Sequence, residues 1–406
     1  MFELNSSAIG AQRSRALWEH LNSRGHDATL LGARYDGRPA LFDRGAIEAL
    51  TEDAPGHAGR TAMGELTARR RKPWSHVRHL GGTAKRALFD WPGPKRERAW
   101  YADAVDCFTG AWAGKEYEAV VSSGPPWVGH KLGRHIAKAQ RVPWFADYRD
   151  LWTNSTYYPH PAWRRRIEGR IERHWLDEAT AITAATPGFT EALRGLSPRV
   201  PCHTIWNGFA GEELSSVEAR DLGPGLNIVY AGSWYIGKRD PRPVLDALVS
   251  GGGLDECRFH LVGKIPAEVT QEIAKRNLGQ RIVLHGPVGR SDALSIVKSA
   301  DIAIALGWND PKDKDVIGGK VFELIGMNKA VIATGYPHGV QADVVRRYGM
   351  GHVANGTTEI VAAIRDLHKR VALGEAPNEA VVRSFDRRIQ LESWEGLLST
   401  GGAIGC

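Results

Sequence analysis

The sequence predicts an α/β chain built as two doubly wound parallel-sheet domains facing across a cleft, and three observations carry that expectation. Its 406 residues exceed one compact core and suit two units of roughly 200 residues each. From residue 115 onward, short apolar runs alternate with helix-length amphipathic stretches, the signature of βαβ units with right-handed crossovers. That alternation comes in two sets, separated by a polar stretch with glycine and proline at 207–225.

In the first set the strands are expected at 118–122, 142–146 and 180–183, with helices over 127–140 and 162–178. In the second set, 226–230, 258–262, 281–284, 301–305 and 330–333 read as buried strands with helix-length segments between them. The tail from Ser384 to Ser399 has helical spacing in Phe385, Ile389, Trp394, Leu397 and Leu398. The expected organisation is therefore an N-terminal domain over 1–207, a C-terminal domain over 208–384, and a terminal helix in 385–406 that packs back on the first domain.

Composition narrows the class. The 42% hydrophobic content supplies two cores, and no apolar run approaches the roughly 18 residues of a membrane-spanning helix. Met1–Gly10 has neither a basic start nor an apolar stretch, so no export signal is expected. Cys107, Cys202, Cys257 and Cys406 are scattered without a CxxC pair, which argues for a reduced, cytoplasmic setting and against a zinc site. Net charge is +7, and between Arg60 and Arg98 eleven Lys or Arg stand against three acidic residues. Such a run favours anionic partners (phosphates, anionic lipid, nucleic acid) or is a solvated basic loop with none.

In open parallel sheets, ligands bind beyond the carboxyl ends of the strands. Three clusters fall at such ends. Gly232, Ser233, Lys238 and Arg239 follow the strand 226–230: glycine permits close backbone approach, and the guanidinium fork of Arg239 matches a diphosphate. Taken alone, the same residues are equally a surface turn with two solvated cations. Asp315, Gly319, Lys320 and Glu323 follow the strand 301–305, where Gly318-Gly319 precede a helical pattern. A helix N-terminus there offers free N–H groups to an anion, and Lys320, unfavourable for the helix dipole, is explained if it meets a phosphate. The alternative is a capped amphipathic helix with exposed charges. Asp147-Tyr-Arg-Asp-Leu-Trp152 follows the strand 142–146 and suits a polyhydroxyl ligand, with His130 on the same rim or, as an isolated histidine more often is, structural. Absent are GxSxG, HExxH, GxxxxGK[ST] and GxGxxG, so hydrolase triads, zinc proteases, P-loop NTPases and ordinary dinucleotide oxidoreductases lose ground.

In order and spacing these residues resemble family 4 of the glycosyltransferases, retaining enzymes of the GT-B fold, and within it the branch that builds bacterial surface polysaccharides and glycosides. Ala16–Leu31 resembles the family's first helix, its RGH turn and its second strand. Ser122-Ser-Gly-Pro-Pro126, His130 and Asp147–Trp152 resemble the branch's N-domain signature. Ile205-Trp-Asn-Gly-Phe209 resembles the hinge, Val283–Val288 and Ser299-Ala-Asp301 the strand, turn and "aD" strand around the nucleotide base. Asp315-x7-Glu323 occupies the E-x7-E position, with Asp for the first Glu.

The resemblance implies that Arg239 and Lys320 hold the donor diphosphate, Glu323 the ribose and Asp315 the donor sugar. His285 and Val288 frame the base, and Gly232, Ser233, Lys238 and Gly319 line the donor site. Asp150 and His130 join the catalytic rim, and Gly10, Arg13, Arg149 and Trp152 stand on the acceptor side. It also implies retention without a protein nucleophile, a UDP- or GDP-type donor, and no cofactor or metal. The implied acceptor is a saccharide, a lipid-linked saccharide or a small natural product. Peripheral contact with an anionic membrane through 60–98 is compatible with this, whereas no aromatic interleaving points to specific nucleic-acid binding. Two departures stand out: only Met1–Ile9 precede the Gly10–Arg13 loop position, so the first strand is short or absent, and Asp315 shortens a carboxylate arm. A sugar-nucleotide epimerase of the same fold and a basic binding module are the rival readings.

Overall fold

The computed structural model of the chain describes residues 9–33, 39–42, 93–110, 112–234, 237–250, 252, 254 and 256–402. Met1–Ala8, where the short first strand is expected, and most of the basic segment 60–98 lie outside the described residues. The chain opens on α1 (Ile9–Ser23), β1 (Leu30–Ala33) and β2 (Pro39–Phe42). Trp18 Nε1 and Asn22 Nδ2 both donate to the Ala28 carbonyl, at 2.9 and 3.1 Å, and fix the turn after α1. Contrary to the expectation of a second parallel strand here, β1 pairs antiparallel with β2 in a separate two-stranded sheet. An antiparallel partner needs only a short connection, whereas a parallel one needs a crossover of about a dozen residues.

The first βα series runs α2 (Lys95–Thr109), β3 (Val120–Gly124), α3 (Val128–Gln140), β4 (Trp144–Tyr148), α4 (Ala162–Leu176), β5 (Ala181–Ala184), α5 (Pro187–Leu196) and β6 (Cys202–Thr204). Its four strands form a parallel sheet in the order β3-β4-β5-β6. Every residue of β4 and β5 is buried, as expected for parallel strands covered on both faces. Thr186 caps α5 by accepting from Phe189 N, and Pro187 opens it with a pre-set φ.

The second series runs α6 (Gly211–Ser216), β7 (Asn227–Ala231), α7 (Arg242–Ser250), β8 (Arg258–Val262), α8 (Ala267–Lys275), β9 (Ile282–Gly286), α9 (Arg290–Ser299), β10 (Ile302–Ala305), α10 (Gly319–Gly326), β11 (Ala330–Ala333), α11 (Val340–Tyr348), β12 (Gly351–Val353) and α12 (Thr357–Ala372). The six strands are parallel in the order β12-β11-β10-β7-β8-β9; counted from β7 this is 3-2-1-4-5-6, with the strand order reversing between β7 and β10. One expected buried strand is only half so: β9 is the sheet's edge, and Leu284 is 50% exposed on it.

Two segments connect the sheets. Phe209 N donates to Phe385 O at 3.0 Å and Arg387 N to Phe209 O at 2.9 Å, so the outgoing chain at 205–209 and the returning chain at 384–387 lie side by side. After α13 (Glu379–Ser384), α14 (Arg387–Ser399) lies against α1. Leu17, Phe145, Ala181, Ile205, Trp394 and Leu397 share one buried cluster. The terminal helix therefore completes the apolar cover of the first sheet.

Candidate functional site

The carboxyl edges of the two sheets meet. Thr186 Oγ1, at the end of β5, donates to the Asp315 carbonyl at 3.0 Å, and Thr156 Oγ1 donates to Lys312 O at 2.9 Å. The Tyr157 hydroxyl donates to the Asp313 carboxylate. Gly188, in the first turn of α5, has no room for a side chain: a Cβ there would stand 1.9 Å from Asp315 Oδ1. Asp315 thus lies against the N-terminus of α5, at the seam between the halves.

On the C-terminal wall, the topological switch lies between β7 and β10, and open sheets of this kind take ligands in the crevice beyond those two strand ends. The loop after β7 carries Gly232, Ser233, Lys238 and Arg239, and the loop after β10 leads through Asp315 to α10. The backbone is drawn close here. Gly263 adopts φ +123, its N–H donates to Gly286 O at 2.9 Å, and a Cβ would meet Gly232 O at 2.7 Å. The N-terminus of α10 has no side-chain cap at Gly318, so its first N–H groups stay open to an anion.

Lys320, in the first turn of α10, is accessible from the crevice yet closely surrounded by protein. Desolvation lowers its pKa, Glu323 raises it, and the neighbouring Arg290 and Arg239 lower it further. Lys320, Glu323, Arg239 and Arg290 therefore form one electrostatic group. Arg290 escapes the sequence reading. It opens α9, grips Glu213 through Nε and Nη2 at 2.5 and 2.8 Å, and gives Nη1 to Glu323 Oε1 at 2.9 Å. The signal was available: a cation in the first helical turn opposes the dipole at Arg290 as it does at Lys320.

Lys238 takes a different position from Arg239. Its Nζ lies 4.4 Å from the Tyr157 ring and 4.8 Å from the Trp308 ring, between one aromatic from each half. The base-side turn holds a relay. Asn227 Nδ2 donates to Gly223 O and Gly225 O at 3.1 and 3.0 Å, so its Oδ1 accepts from His260 Nε2 at 2.9 Å. Burial first, then His285, pushes His260 down to about 4, so it is neutral and its Nδ1 accepts from His285 Nε2 at 3.0 Å. His285, neutral as well, is left with Nδ1 as an acceptor. Val288 is 38% exposed at the same turn.

The N-terminal wall places several expected ligand residues in structural positions. Arg13 is buried, with Nε and Nη2 on the two Asp147 oxygens at 3.0 and 2.8 Å and Nη1 on Ile205 O at 2.8 Å and Asn207 Oδ1 at 3.3 Å. Gly10 lies one turn earlier in α1. Asp147 also accepts from Ser123 at 2.8 Å and Thr183 at 2.7 Å; burial pushes its carboxyl up, but Arg13 and these hydroxyls hold it below its ordinary value. Trp152 faces inward, stacked 5.7 Å from Trp127. His130 is 1% exposed, stacked 4.6 Å from Tyr148, with Nδ1 2.8 Å from Ser122 Oγ. Burial pushes it down to about 3, so the ring is neutral, and its Nε2 lies beneath Gly124 without a partner among the described residues. Arg149 and Asp150 follow the carboxyl end of β4, where desolvation lowers the pKa of the first and raises that of the second.

Two buried glutamates on α4 hold the loop behind this wall. Glu168 accepts from Trp152 Nε1 at 3.1 Å, Tyr158 OH at 2.6 Å and Arg164 Nε at 2.8 Å. Glu172 accepts from Thr153 through N at 3.1 Å and through Oγ1. Burial pushes Glu172 up to about 7 against the hydrogen bonds from Thr153 and Tyr148. A raised carboxyl stabilises the fold below its unfolded pKa, and that contribution is lost as pH rises through the folded value. Glu172→Gln keeps an acceptor without the charge. Its unfolding free energy relative to wild type should climb between pH 4.5 and 7 and level off above, for a total of about 3 kcal/mol; a pH-independent difference would contradict the assignment.

No family model matches the sequence, and no curated protein matches it. Two Rossmann-like sheets apposed at their carboxyl edges and joined by a double crossing define the GT-B architecture. Solved structures share it along most of the chain. A sucrose-phosphate synthase from Thermosynechococcus elongatus superposes with a TM-score of 0.60 at 16% identity, covering 96% of this chain and 92% of that one. A glycosyltransferase from Rickettsia africae superposes with a TM-score of 0.63 at 14% identity over 98% and 96%. Anabaena Alr3699/HepE in complex with UDP superposes with a TM-score of 0.57 at 14% identity over 74% and 82%. The fold is that of GT-B glycosyltransferases.

Proposed function

We propose that the chain is a glycosyltransferase that takes a sugar from a nucleoside diphosphate sugar, UDP- or GDP-type, and moves it to a hydroxyl acceptor with retention at the anomeric carbon. One observation carries this reading. Lys320, Arg239 and the uncapped N-terminus of α10 converge on the crevice at the reversal of strand order, where Glu323 offers a carboxylate beside them. Three sources of positive potential in one crevice suit a diphosphate, and the carboxylate suits ribose hydroxyls. The similar structure of Alr3699/HepE was solved with UDP-glucose, which supports the same class of donor.

In this reading residues 208–384 form the donor-binding domain and 1–207 the acceptor side. The bond from the anomeric carbon to the diphosphate breaks while negative charge grows on the leaving oxygen. Lys320 and Arg239 stabilise that charge as fixed cations. The acceptor hydroxyl attacks from the same face, and its proton passes to the leaving phosphate oxygen, so no protein nucleophile or metal is required. Asp315, against the α5 N-terminus, contacts the sugar hydroxyls, and the His285–Val288 turn frames the base. Ribose binding at Glu323 replaces or shares its pair with Arg290.

Release of nucleoside diphosphate from a panel of nucleotide sugars, measured with and without saccharide acceptors, tests the reading. Acceptor-dependent release is expected. An isomerised nucleotide sugar without release would establish an epimerase instead.

A further inference from the structure

The two charged residues that α10 gives to the crevice are opposite in sign and share one face of the helix. Lys320 and Glu323 stand three residues apart, a spacing that sets Cβ atoms about 5–6 Å from each other and draws a cation and an anion together. The same spacing closes elsewhere in this chain: Lys275 meets Glu272 at 2.7 Å and Arg346 meets Asp343 at 3.3 Å. On α10 the basic residue comes first, an order that weakens the attraction without abolishing it. Left to themselves, Lys320 and Glu323 would pair. A closed pair offers a diphosphate little net positive charge, and it turns the carboxylate away from ribose hydroxyls.

They do not close. Among the described residues Lys320 forms no ion pair, and Glu323 turns to Arg290 instead, Oε1 to Nη1 at 2.9 Å. Arg290 is itself held side-on by Glu213, through Nε and Nη2 at 2.5 and 2.8 Å. A guanidinium carries its N–H groups in one rigid plane, so fixing two of its nitrogens fixes the direction of the third. Glu213 lies in α6, Arg290 opens α9 and Glu323 lies in α10, so three elements together set where the carboxylate points. The packing of α9, through Leu294, Ile296 and Val297, does not require a cation at its first turn, where Gly289 supplies no side-chain cap and the helix dipole opposes positive charge.

We propose that Arg290 is a positioning residue for donor binding: anchored by Glu213, it draws Glu323 away from Lys320 and so keeps an ammonium and a carboxylate on one helix face both available to one nucleotide. The purpose rests on the donor reading above; the contacts do not. Arg290 acts through its neighbours. It sets the direction of Glu323, and it leaves the charge of Lys320 unneutralised for the diphosphate.

Competitive acetylation of the full chain with acetic anhydride, read at Lys320 by mass spectrometry, tests this without any nucleotide. An amine reacts only when uncharged, so a carboxylate drawn against it slows the reaction. Arg290→Met should slow labelling of Lys320 by about tenfold, the effect of one opposite charge at contact distance. Glu323→Gln should then restore it by about tenfold in the Arg290→Met chain, but quicken it only about twofold where Arg290 is present and already engages the carboxylate. Glu213→Gln breaks the Arg290–Glu213 pair from the other side and should leave Lys320 labelling within about twofold of wild type, so damage to that contact alone does not mimic the effect. In Arg290→Met, Glu213 keeps a cation nearby in Arg387, which sits on the carbonyls of Asn207 and Gly208 at 3.4 and 3.3 Å. Arg290→Lys, which keeps the charge but lacks the fork, should slow labelling by a smaller factor and serves as the second variant. In parallel titrations, UDP and GDP should bind Arg290→Met about tenfold more weakly than wild type. Unslowed labelling of Lys320 in Arg290→Met, or equal effects of Glu323→Gln in both backgrounds, overturns the proposal. If the labelling pattern holds and wild type binds neither nucleotide, the positioning of Glu323 stands and the donor reading falls instead.

Discussion

Lys320→Ala should lower glycosyl transfer by about 10²–10³-fold while leaving the fold intact. The size follows from where the ammonium stands. It lies in the first turn of an uncapped helix, where it opposes the dipole, and beside two guanidinium groups that oppose it further. Desolvation and the two guanidinium groups oppose the charge on Lys320, against the attraction of Glu323, until a polyanion arrives. Each cation is then worth more against the leaving diphosphate than in water, because the crevice is partly desolvated. Since charge on the leaving oxygen peaks in the transition state, the loss should fall mainly on kcat. Arg239→Ala should behave similarly. If Lys320→Ala melts higher than wild type and turns over slowly, the cation is there for function; wild-type turnover in a folded variant would refute its role.

Arg13→Met should destabilise the chain by about 3–5 kcal/mol, the usual cost of stranding one member of a buried ion pair. Asp147 would keep Ser123 and Thr183 as donors but lose both bonds to the guanidinium, in a site that is nearly water-free. The 205–207 crossing would lose its tie to α1 as well, since Arg13 Nη1 holds Ile205 O and Asn207 Oδ1. Because a buried pair is costly mainly when halved, Arg13→Met/Asp147→Asn should regain most of the stability. Thermal or urea unfolding decides this: a single variant within 1 kcal/mol of wild type, on the scale of exposed pairs, would show that the pair is not the clamp described.

Much of the fold was legible because parallel strands buried on both faces are written as uninterrupted apolar runs. Ala330–Ala333 and Arg258–Val262 fall where the sequence places them, and the others lie within about two residues. The short strands Cys202–Thr204 and Gly351–Val353 carry too few residues to stand out. Strand order is not written locally. That β7 and β10 are neighbours, which creates the crevice, depends on a connection through β8 and β9 that sequence reading cannot weigh. The grouping of Lys320, Glu323 and Arg239 followed from strand ends and helix starts, which are local signals. The buried pairing of Arg13 was not legible because its partner Asp147 lies far along the chain, and a cation gives no sign of which carboxylate it will meet. Tyr157 was missed for the same reason: its role comes from Asp313 and Lys238 across the seam.

The central claim is that the crevice at the strand-order reversal holds a nucleoside diphosphate. A crystal structure of the chain soaked with UDP or GDP tests it most directly. The diphosphate should lie at the N-terminus of α10 within hydrogen-bond reach of Lys320 and Arg239, with the ribose hydroxyls on Glu323 and Arg290 turned toward Glu213. Density for the nucleotide anywhere else on the molecule, with Lys320 and Glu323 unchanged, would contradict the account.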